Sequence, residues 1–257
     1  MDITRPDDSD KLVKSVVRAF EVVGVLREQG AVRIDDVASA LDIPTSTAHV
    51  HLKTLESVGY VVQDDDGYHL SCRSLRDGVT VRQRKNVYRS TKSEVDALAD
   101  ITGEVANLGI EENGQRVILY QAEGTEAVYD NAPIGEYTNM HWTALGKAIL
   151  AHLPDDYVDQ IVETYGLPSA TSATITARDH LDEELARIVD RNYALEDEER
   201  RQGIRSIASP IIVEDTVVGS ISVSGPKERL DDDRIENELL PELRNTVNVV
   251  EVKYAYD

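Results

Sequence analysis

The chain has few of the residues that would place it outside the cell or in a membrane. Its 257 residues include a single cysteine, Cys72, which excludes an intrachain disulfide and fits a reducing cytoplasm. No run of about 18 apolar residues is present, so we expect no membrane-spanning helix. Residues 1–10 are polar and acidic, so we expect no secretory signal peptide.

Basic residues are also scarce. The chain has 27 Lys and Arg against 48 Asp and Glu, a net charge of −21. Residues 1–85 contain 12 basic and 14 acidic side chains, so the remaining residues contain 15 and 34 and hold nearly all of the negative charge. One explanation is a salt-loving host, since a Debye length of about 3 Å at molar salt keeps acidic surfaces soluble and weakens their repulsion of DNA. The other is an acidic domain that binds no nucleic acid, because nucleic-acid-binding proteins are usually basic.

The sequence lacks the common patterns of metal sites and enzymes. Its six histidines show neither HxxxH nor HExxH spacing, and its glycines between predicted strands are interpreted as turn residues rather than a phosphate-binding loop. His141, Ser206 and an acidic residue could form a nucleophile–base–carboxylate set, but the chain has no nucleophile-elbow pattern. We therefore expect no metal and no cofactor, and an enzyme remains an alternative.

A helix-turn-helix pattern occupies residues 34–55. It predicts a short helix, a tight turn at Asp42-Ile43-Pro44, and a second helix that begins at about Thr45. Hydroxyl groups at the start of this second helix suit phosphates, polar side chains on its outer face suit base edges, and its inner face is apolar. The residues predicted to contact DNA are Thr45, Ser46, Thr47, His49, Val50 and Lys53.

The surrounding residues complete a winged helix. Residues 11–29 predict a helix with one buried stripe, which comprises Leu12, Val13, Val16, Val17, Phe20, Val23 and Leu26. Asp35 is the predicted N-cap of the next helix. Residues 60–63 and 68–70 are β-prone and flank an Asp-Gly turn, which predicts a hairpin, or wing. The tip of this wing is acidic and therefore unfavourable beside phosphates at low salt.

The remaining sequence predicts a linker and a second domain. Residues 75–92 predict one basic linker helix, either solvated or in weak contact with phosphates. The order that follows is a helix (94–101), strands (105–110, 116–121, 127–129), helices (143–153, 155–165, 181–192), a hairpin (207–213, 217–223) and a helix (231–253) kinked at Pro241. We predict an α+β fold with a winged helix-turn-helix DNA-binding domain at 1–74, the linker at 75–92, and at 93–257 an α/β domain on an antiparallel sheet that resembles GAF-type sensor folds.

Short blocks along almost the whole chain resemble the IclR family of transcriptional regulators. In the N-terminal part they are IPTSTA (43–48), LKTL (52–55) and GYV (59–61). In the C-terminal part they are HWTALGKAILA (141–151), residues 193–199 with Gly203, IASPI (207–211) and SVSGP (222–226). A helix-turn-helix alone is a common signal, whereas these blocks in this order point to one family.

The resemblance implies a repressor or activator that binds a double-stranded DNA operator and is controlled by a small-molecule effector. It also implies homodimers that form through the DNA-binding half, often paired into tetramers, with two recognition helices for two half-sites. Together with the acidic composition, it points to a halophilic archaeon as the source. The alternatives are a GAF-like enzyme and an architectural DNA binder that needs no effector.

The effector pocket of the family can be carried over by position. The implied effector-binding residues are Ala144, Leu145 and Gly146 through their backbone, and Glu196, Ser206, Ser222 and Ser224 through their side chains. Relatives often have Asp in place of Glu196, Cys in place of Ser206 and, in the recognition helix, Arg in place of Val50. The backbone N–H groups and the polar side chains of this implied pocket suit a small organic acid or a sugar-derived acid.

Overall fold

A computed structural model describes residues 12–128 and 132–256 of the chain. Contacts divide the chain into one unit that ends at Arg84 and a second that begins at Lys85. The first is a winged helix-turn-helix and the second is an α/β unit around an antiparallel sheet, so the predicted α+β fold is confirmed. Within the described residues, no helix is both long enough and apolar enough to cross a membrane.

The first unit comprises α1 (Lys14–Gln29), α2 (Ile34–Ala40), α3 (Thr45–Ser57), β1 (Val61–Gln63), β2 (Tyr68–Leu70) and α4 (Arg73–Arg84). Pro44 directly precedes α3, at a position where its missing N–H is harmless to the helix. Strands β1 and β2 pair antiparallel and form the predicted wing. Ala48 and Leu52 on the inner face of α3 are fully buried and fix this helix in the core of the unit.

The buried face of α1 differs from the predicted stripe. Of the residues in that stripe only Leu26 is buried, together with Val22 and Val25. Four apolar residues at the start of the stripe are 44–64% exposed, namely Leu12, Val13, Val16 and Phe20. The prediction was wrong because only the second half of α1 packs on the core of this unit.

The cap of α2 also differs from the prediction. Arg33 is the N-cap, and its N–H donates to Oδ2 of Asp36 at 2.8 Å. Asp35 instead accepts a hydrogen bond from Oγ1 of Thr45 at 3.3 Å. The side chain predicted to cap α2 therefore ties α2 to the first residue of α3.

The single linker helix predicted at 75–92 is wrong. Helix α4 ends at Arg84, Lys85 has an extended backbone, and α5 (Asn86–Thr102) begins after it. The helix predicted at 94–101 is the second half of α5. Neither proline nor glycine marks the break, so the sequence predicts continuity where the structure has two helices. Helix α4 belongs to the first unit, where the guanidinium of Arg73 lies 5.1 Å from the ring centre of Tyr60.

The second unit is built on an antiparallel sheet. Within the described residues its strands are β3 (Val105–Glu112), β4 (Gln115–Glu123), β5 (Tyr137–Asn139), β6 (Ala194–Asp197), β7 (Ile204–Val213) and β8 (Thr216–Pro226). Their order across the sheet is β5-β4-β3-β8-β7-β6. The β7–β8 hairpin turns at Glu214 and Asp215, which both have positive φ, as in the type I′ turn that matches strand twist.

Helices cover both faces of this sheet. They are α6 (Ala144–Leu150), preceded by a 3-10 turn (Met140–Trp142), α7 (Asp155–Tyr165), α8 (Arg178–Arg191), α9 (Asp232–Arg234), a π-helical segment (Ile235–Leu239) and α10 (Leu240–Tyr256). Ile207 packs in the core shared with α5 and α10, and its neighbour Ala208 packs in the core beneath α6. This alternation places α6 on one face of the sheet and α5 with α10 on the other.

Two details of the second unit depart from the prediction. The strand predicted at 127–129 is absent at 127 and 128, and Tyr129 lies outside the described residues. The short strands β5 and β6 are not predicted by the sequence. The C-terminal helix, in contrast, agrees with the prediction. It is irregular just before Pro241, where the π-helical segment lies, and its predicted inward residues are buried: Ile235, Leu239, Leu243, Val247 and Val250.

Candidate functional site

The residues predicted to contact DNA lie at the start and along the outer face of α3. All of them are exposed except Thr47, which is half-buried: Thr45, Ser46, Thr47, His49, Val50 and Lys53. Val50, the departure from the family pattern, is 61% exposed. His51, on another side of the helix, is half-buried. The outer face of α3 is therefore free within its unit to enter a groove.

The first turn of α3 presents backbone donors. Pro44, the N-cap residue, has no side-chain hydrogen bond with the helix, and the N–H of Thr47 donates to the carbonyl of Pro44 at 2.8 Å. The N–H groups of Thr45 and Ser46 lie too early in the helix to have a carbonyl partner within it. Together with the helix dipole and the exposed hydroxyls, these groups suit a phosphate.

Lys53 joins α3 to the wing. Its Nζ lies 2.8 Å from Oε2 of Glu56 and 3.1 Å from Oε1 of Gln63 in β1. At the wing tip, Nε2 of His69 lies 2.7 Å from Oδ2 of Asp64. This hydrogen bond raises the pKa of His69 and lowers the pKa of Asp64. The hydrogen bond thus favours the imidazolium form of His69 beside the three aspartates of the tip.

A polar cleft lies between α6 and the sheet of the second unit. It is lined by Asn107, Arg116, Ile118, Ala132, Thr143, Ala144, Leu145, Glu196, Arg200, Ser206, Ser222 and Ser224. The cavity itself has a volume of about 30 Å³, and the space between these residues is about 330 Å³ when the open mouth is included. Of the residues carried over from the family, only Gly146 is outside this lining.

Strand register explains how distant residues meet in the cleft. Asn107 of β3 pairs with Ser222 of β8, Ser224 of β8 pairs with Ser206 of β7, and Ser206 pairs with Glu196 of β6. Paired residues on neighbouring strands point to the same face of a sheet. A polar row therefore crosses four strands on the face that α6 covers.

Hydrogen bonds connect this row. The hydroxyl of Ser206 donates to Oε2 of Glu196 at 2.6 Å, and Nδ2 of Asn107 lies 3.5 Å from Oγ of Ser222 and 3.4 Å from Oγ of Ser224. Burial raises the pKa of the Glu196 carboxyl, although Ser206 and the charge of Arg200 oppose the shift. Burial therefore favours the protonated form of Glu196 more than that of an exposed glutamate.

Gly146 has a packing role next to the cleft. A Cβ at this position would lie 2.0 Å from the carbonyl oxygen of Met140, so only glycine fits. Its N–H donates to Oγ1 of Thr143 at 3.0 Å, which caps α6. Lys147, the next residue, is buried and lies 2.5 Å from Oε1 of Glu199. Gly146 thus positions α6, and the cleft receives Ala144 and Leu145.

The alternative catalytic set is not assembled. The ring Nε2 of His141 lies 3.0 Å from the carbonyl oxygen of Pro168, whereas the hydroxyl of Ser206 is bonded to Glu196. Trp142 also donates to Pro168, at 2.8 Å, and is outside the cleft lining. Within residues 12–128 and 132–256, no group of three His, Cys, Asp or Glu side chains could hold a metal ion.

Sequence comparison decides the family. The profile "IclR helix-turn-helix domain" matches residues 15–65, and "Bacterial transcriptional regulator IclR C-terminal" matches residues 79–252. The chain belongs to the IclR family. The IclR resemblance predicted from the sequence blocks is thus confirmed, and the winged helix and the cleft unit correspond to the two matched regions.

Two curated IclR-family relatives match nearly the whole chain. The "Probable HTH-type transcriptional regulator ArcR" of Halobacterium salinarum is 33% identical over 94% of both chains. The "Transcriptional repressor IclR" of Escherichia coli is 30% identical, over 87% of this chain and 84% of its own. These relatives are transcriptional regulators, so the protein is a DNA-binding regulator and not an enzyme.

The fold is likewise that of a solved relative. The crystal structure of a putative transcriptional regulator from Rhodococcus sp. RHA1 matches with a TM-score of 0.83 and 26% identity, over 95% of this chain and 99% of that chain. Six cleft residues were not predicted from the sequence, namely Asn107, Arg116, Ile118, Ala132, Thr143 and Arg200. Only Arg116 leaves a sequence signal, a charged residue at the start of an otherwise apolar strand.

Proposed function

We propose that the protein is a sequence-specific transcriptional regulator whose operator binding is controlled by a small organic acid or a sugar-derived acid bound in the cleft beneath α6. The observation that supports this proposal is the buried polar row of Asn107, Ser222, Ser224, Ser206 and Glu196. A concave site with a few convergent polar groups is typical of ligand binding.

The DNA-binding part of the proposal rests on α3. In this proposal the hydroxyl residues Thr45, Ser46 and Thr47 contact phosphates, and His49, Val50 and Lys53 face bases in the major groove of an operator. Val50 suits a thymine methyl group, whereas a basic residue there would suit phosphate or guanine. Binding should therefore depend more on helix N-terminal contacts and shape than on bulk charge.

A salt-loving host and a cytoplasmic location complete the proposal. The second unit contains most of the acidic excess of the chain, and such a surface is favourable where salt screens its charge. The relative from Halobacterium salinarum is consistent with an archaeal host of this kind.

A DNA titration with the full-length protein tests the function. Labelled fragments from upstream of its own and neighbouring genes are titrated at low and at molar KCl, with and without small acids and sugars. We expect one fragment to be bound specifically at molar KCl, and at least one compound to shift its affinity. If no fragment is bound specifically, the proposed regulator is refuted. If a fragment is bound but no compound changes its affinity, the effector-independent DNA binder is favoured.

We also propose that two copies pair through the start of α1. Leu12, Val13, Val16 and Phe20 form an exposed apolar face in the single chain. Contiguous apolar surface of this kind marks interaction sites, and a second copy would present two recognition helices with two-fold symmetry. Further pairing of such dimers into tetramers would use the second unit.

Phe20→Glu is expected to dissociate the pair that forms through the start of α1, because a charge within this face opposes its burial. Light scattering after gel filtration would give half the mass of the wild type. Val58→Glu is the matched control, since Val58 is 50% exposed at the end of α3. Unchanged mass for Phe20→Glu, or equal dissociation of both variants, would contradict the proposed interface.

A further inference from the structure

Lys147 is a charged residue in the interior of the second unit. It lies on α6, is 1% exposed, and its Nζ lies 2.5 Å from Oε1 of Glu199, in the β6–β7 loop (residues 198–203). Glu184 of α8 is farther away, at 3.9 Å, and is itself paired with Arg191 at 2.8 Å. Lys147 and Glu199 are both outside the lining of the cleft. Their ion pair therefore joins α6 to the β6–β7 loop without occupying the cleft.

Glu199 is held through its backbone as well as its side chain. Its carbonyl oxygen accepts a hydrogen bond from the hydroxyl of Thr174 at 2.6 Å, and this hydroxyl also accepts from the N–H of Thr171 at 2.9 Å. The hydroxyl of Thr171 donates to the carbonyl oxygen of Glu198 at 2.7 Å. Thr174 is buried and lies between α7 and α8. The β6–β7 loop is thus fixed at one residue by α6 and by the segment that follows α7.

The residues next to this fixed point line the cleft. Arg200 follows Glu199 directly, and its N–H donates to Oε1 of Glu196 at 3.3 Å. Arg200 and Glu196 both belong to the cleft lining, as does Ala144 of α6. A shift of Glu199 relative to Lys147 would therefore move one wall of the cleft relative to another.

The position of this wall matters because the cavity itself is small. Its volume of about 30 Å³ has room for about one or two water molecules, so a larger molecule enters only if a wall moves. Helix α6 packs on the sheet through Ala148, which shares an apolar cluster with Ala208 of β7. Strand β6, in contrast, has four residues and lies at the edge of the sheet. The wall formed by β6 and the β6–β7 loop has the least support from the sheet and is the one that Lys147 holds.

We propose that Lys147 is a positioning residue that sets the width of the cleft: its ion pair with Glu199 fixes the distance between α6 and the β6–β7 loop and so limits the size of the molecule that the cleft admits. A buried ion pair is no better for stability than an apolar pair of the same volume, because desolvation offsets the attraction. A charge-assisted hydrogen bond does, however, fix a distance and a direction. The inference rests on the proposed function only for the role of the cleft as a binding site.

A cysteine inside the cleft measures its width without an effector. Ser222→Cys is combined with Cys72→Ser in the full-length chain, and mass spectrometry measures the rates of modification by methyl and by benzyl methanethiosulfonate, which are both neutral. The same two rates at the exposed Cys72 of the unaltered chain give the reference ratio. We expect the preference for the methyl reagent to be at least about tenfold greater at position 222 than at Cys72, since the benzyl reagent reacts there only through local opening.

Lys147→Met together with Glu199→Gln removes both charges of the pair at nearly the same volume. The preference for the methyl reagent should then fall by about 5- to 10-fold, because the released loop admits the benzyl group. The melting temperature should not fall, since the pair is replaced as a whole and no buried charge is left alone. Thr174→Val removes the hydroxyl that holds the carbonyl of Glu199 and changes no charge. It should lower the preference by about 2- to 5-fold and decides the question if the double variant is unfolded by circular dichroism.

Lys227→Met is the matched control. The Nζ of Lys227 lies 2.7 Å from Oδ1 of Asp197 and 2.7 Å from Oε2 of Glu198, so this lysine also pairs with carboxylates at the end of β6 and in the β6–β7 loop. Asp197 alternates with Glu196 along β6, and its side chain is therefore on the face opposite to the cleft. This variant loses a lysine–carboxylate contact of the same loop and should keep the preference for the methyl reagent.

The outcomes separate the inference from the proposed function. The inference is overturned by equal preference at position 222 and at Cys72, by an unchanged preference in the folded double variant or, if that variant is unfolded, in Thr174→Val, or by an equal change in Lys227→Met. An equal rise of both rates in the double variant would show general loosening and would also overturn it. The measured rates involve neither DNA nor effector. A protein that binds no operator therefore loses the proposed function and keeps the measured width, whereas a working regulator with an unchanged preference loses only this inference.

Discussion

Replacing Ser46 by glutamate is expected to weaken binding to every DNA sequence, specific or not. Ser46 is exposed in the first turn of α3, where backbone N–H groups and the helix dipole favour a phosphate. A carboxylate there would compete for these donors and repel the phosphate. A loss of about 2 kcal/mol, or roughly 30-fold in affinity, is reasonable for two charges in partial contact with water.

The same substitution should leave the fold intact, which makes the result easy to interpret. Glutamate in the first turn of a helix is favourable to the helix itself. Fluorescence anisotropy with an operator fragment and with unrelated DNA measures the loss. Ser46→Gln is the control, because it has the same size without the charge, and it should bind more tightly than Ser46→Glu.

Salt separates repulsion from a shape effect. The difference between the Glu and Gln variants should shrink as KCl rises, since screening shortens the range of the repulsion. Equal affinity of wild type and Ser46→Glu at low salt would show that α3 does not present its N-terminus to phosphates. A difference that is independent of salt would show a steric cause.

Local patterns predict the winged helix well. Proline at the start of α3, apolar residues at helical spacing and an Asp-Gly turn each restrict the backbone by themselves, and the structure has α3 and the wing where these signals are. The first half of α1 is different. Its apolar stripe is correctly periodic, but periodicity does not say whether the partner of a stripe is the same chain or another copy.

The cleft is only partly predictable for a related reason. Ser222 and Ser224 alternate on one strand, so a common direction follows from the sequence. Asn107 and Arg116 reach the same cleft through the register of β3 and β4, and single-sequence patterns do not determine which strands are neighbours. Gly146 was assigned to the ligand by family position, whereas its close approach to Met140 shows a packing requirement that spacing cannot reveal.

Replacing Ser222 by leucine is expected to abolish the response to the effector while operator binding stays within about threefold of the wild type. Ser222 is 2% exposed on β8, next to Asn107, and a leucine would fill the cleft and remove a hydrogen-bonding group. Because α3 lies in the other unit, the DNA contacts themselves are not altered. The added volume should cost about 1–3 kcal/mol of unfolding free energy, which chemical denaturation would measure.

Two further variants distinguish blockage from general damage. Ser222→Ala removes the hydroxyl but keeps the space, so effector affinity should fall by only about 3- to 10-fold, the value of one hydrogen bond. Thr216→Leu adds a leucine at an exposed position of the same strand and should keep the full response. Calorimetry with the effector and operator anisotropy are measured on all three variants. Loss of operator binding by Ser222→Leu with retained effector binding would make Ser222 a structural residue; a full response would mean that the effector binds outside the cleft beneath α6.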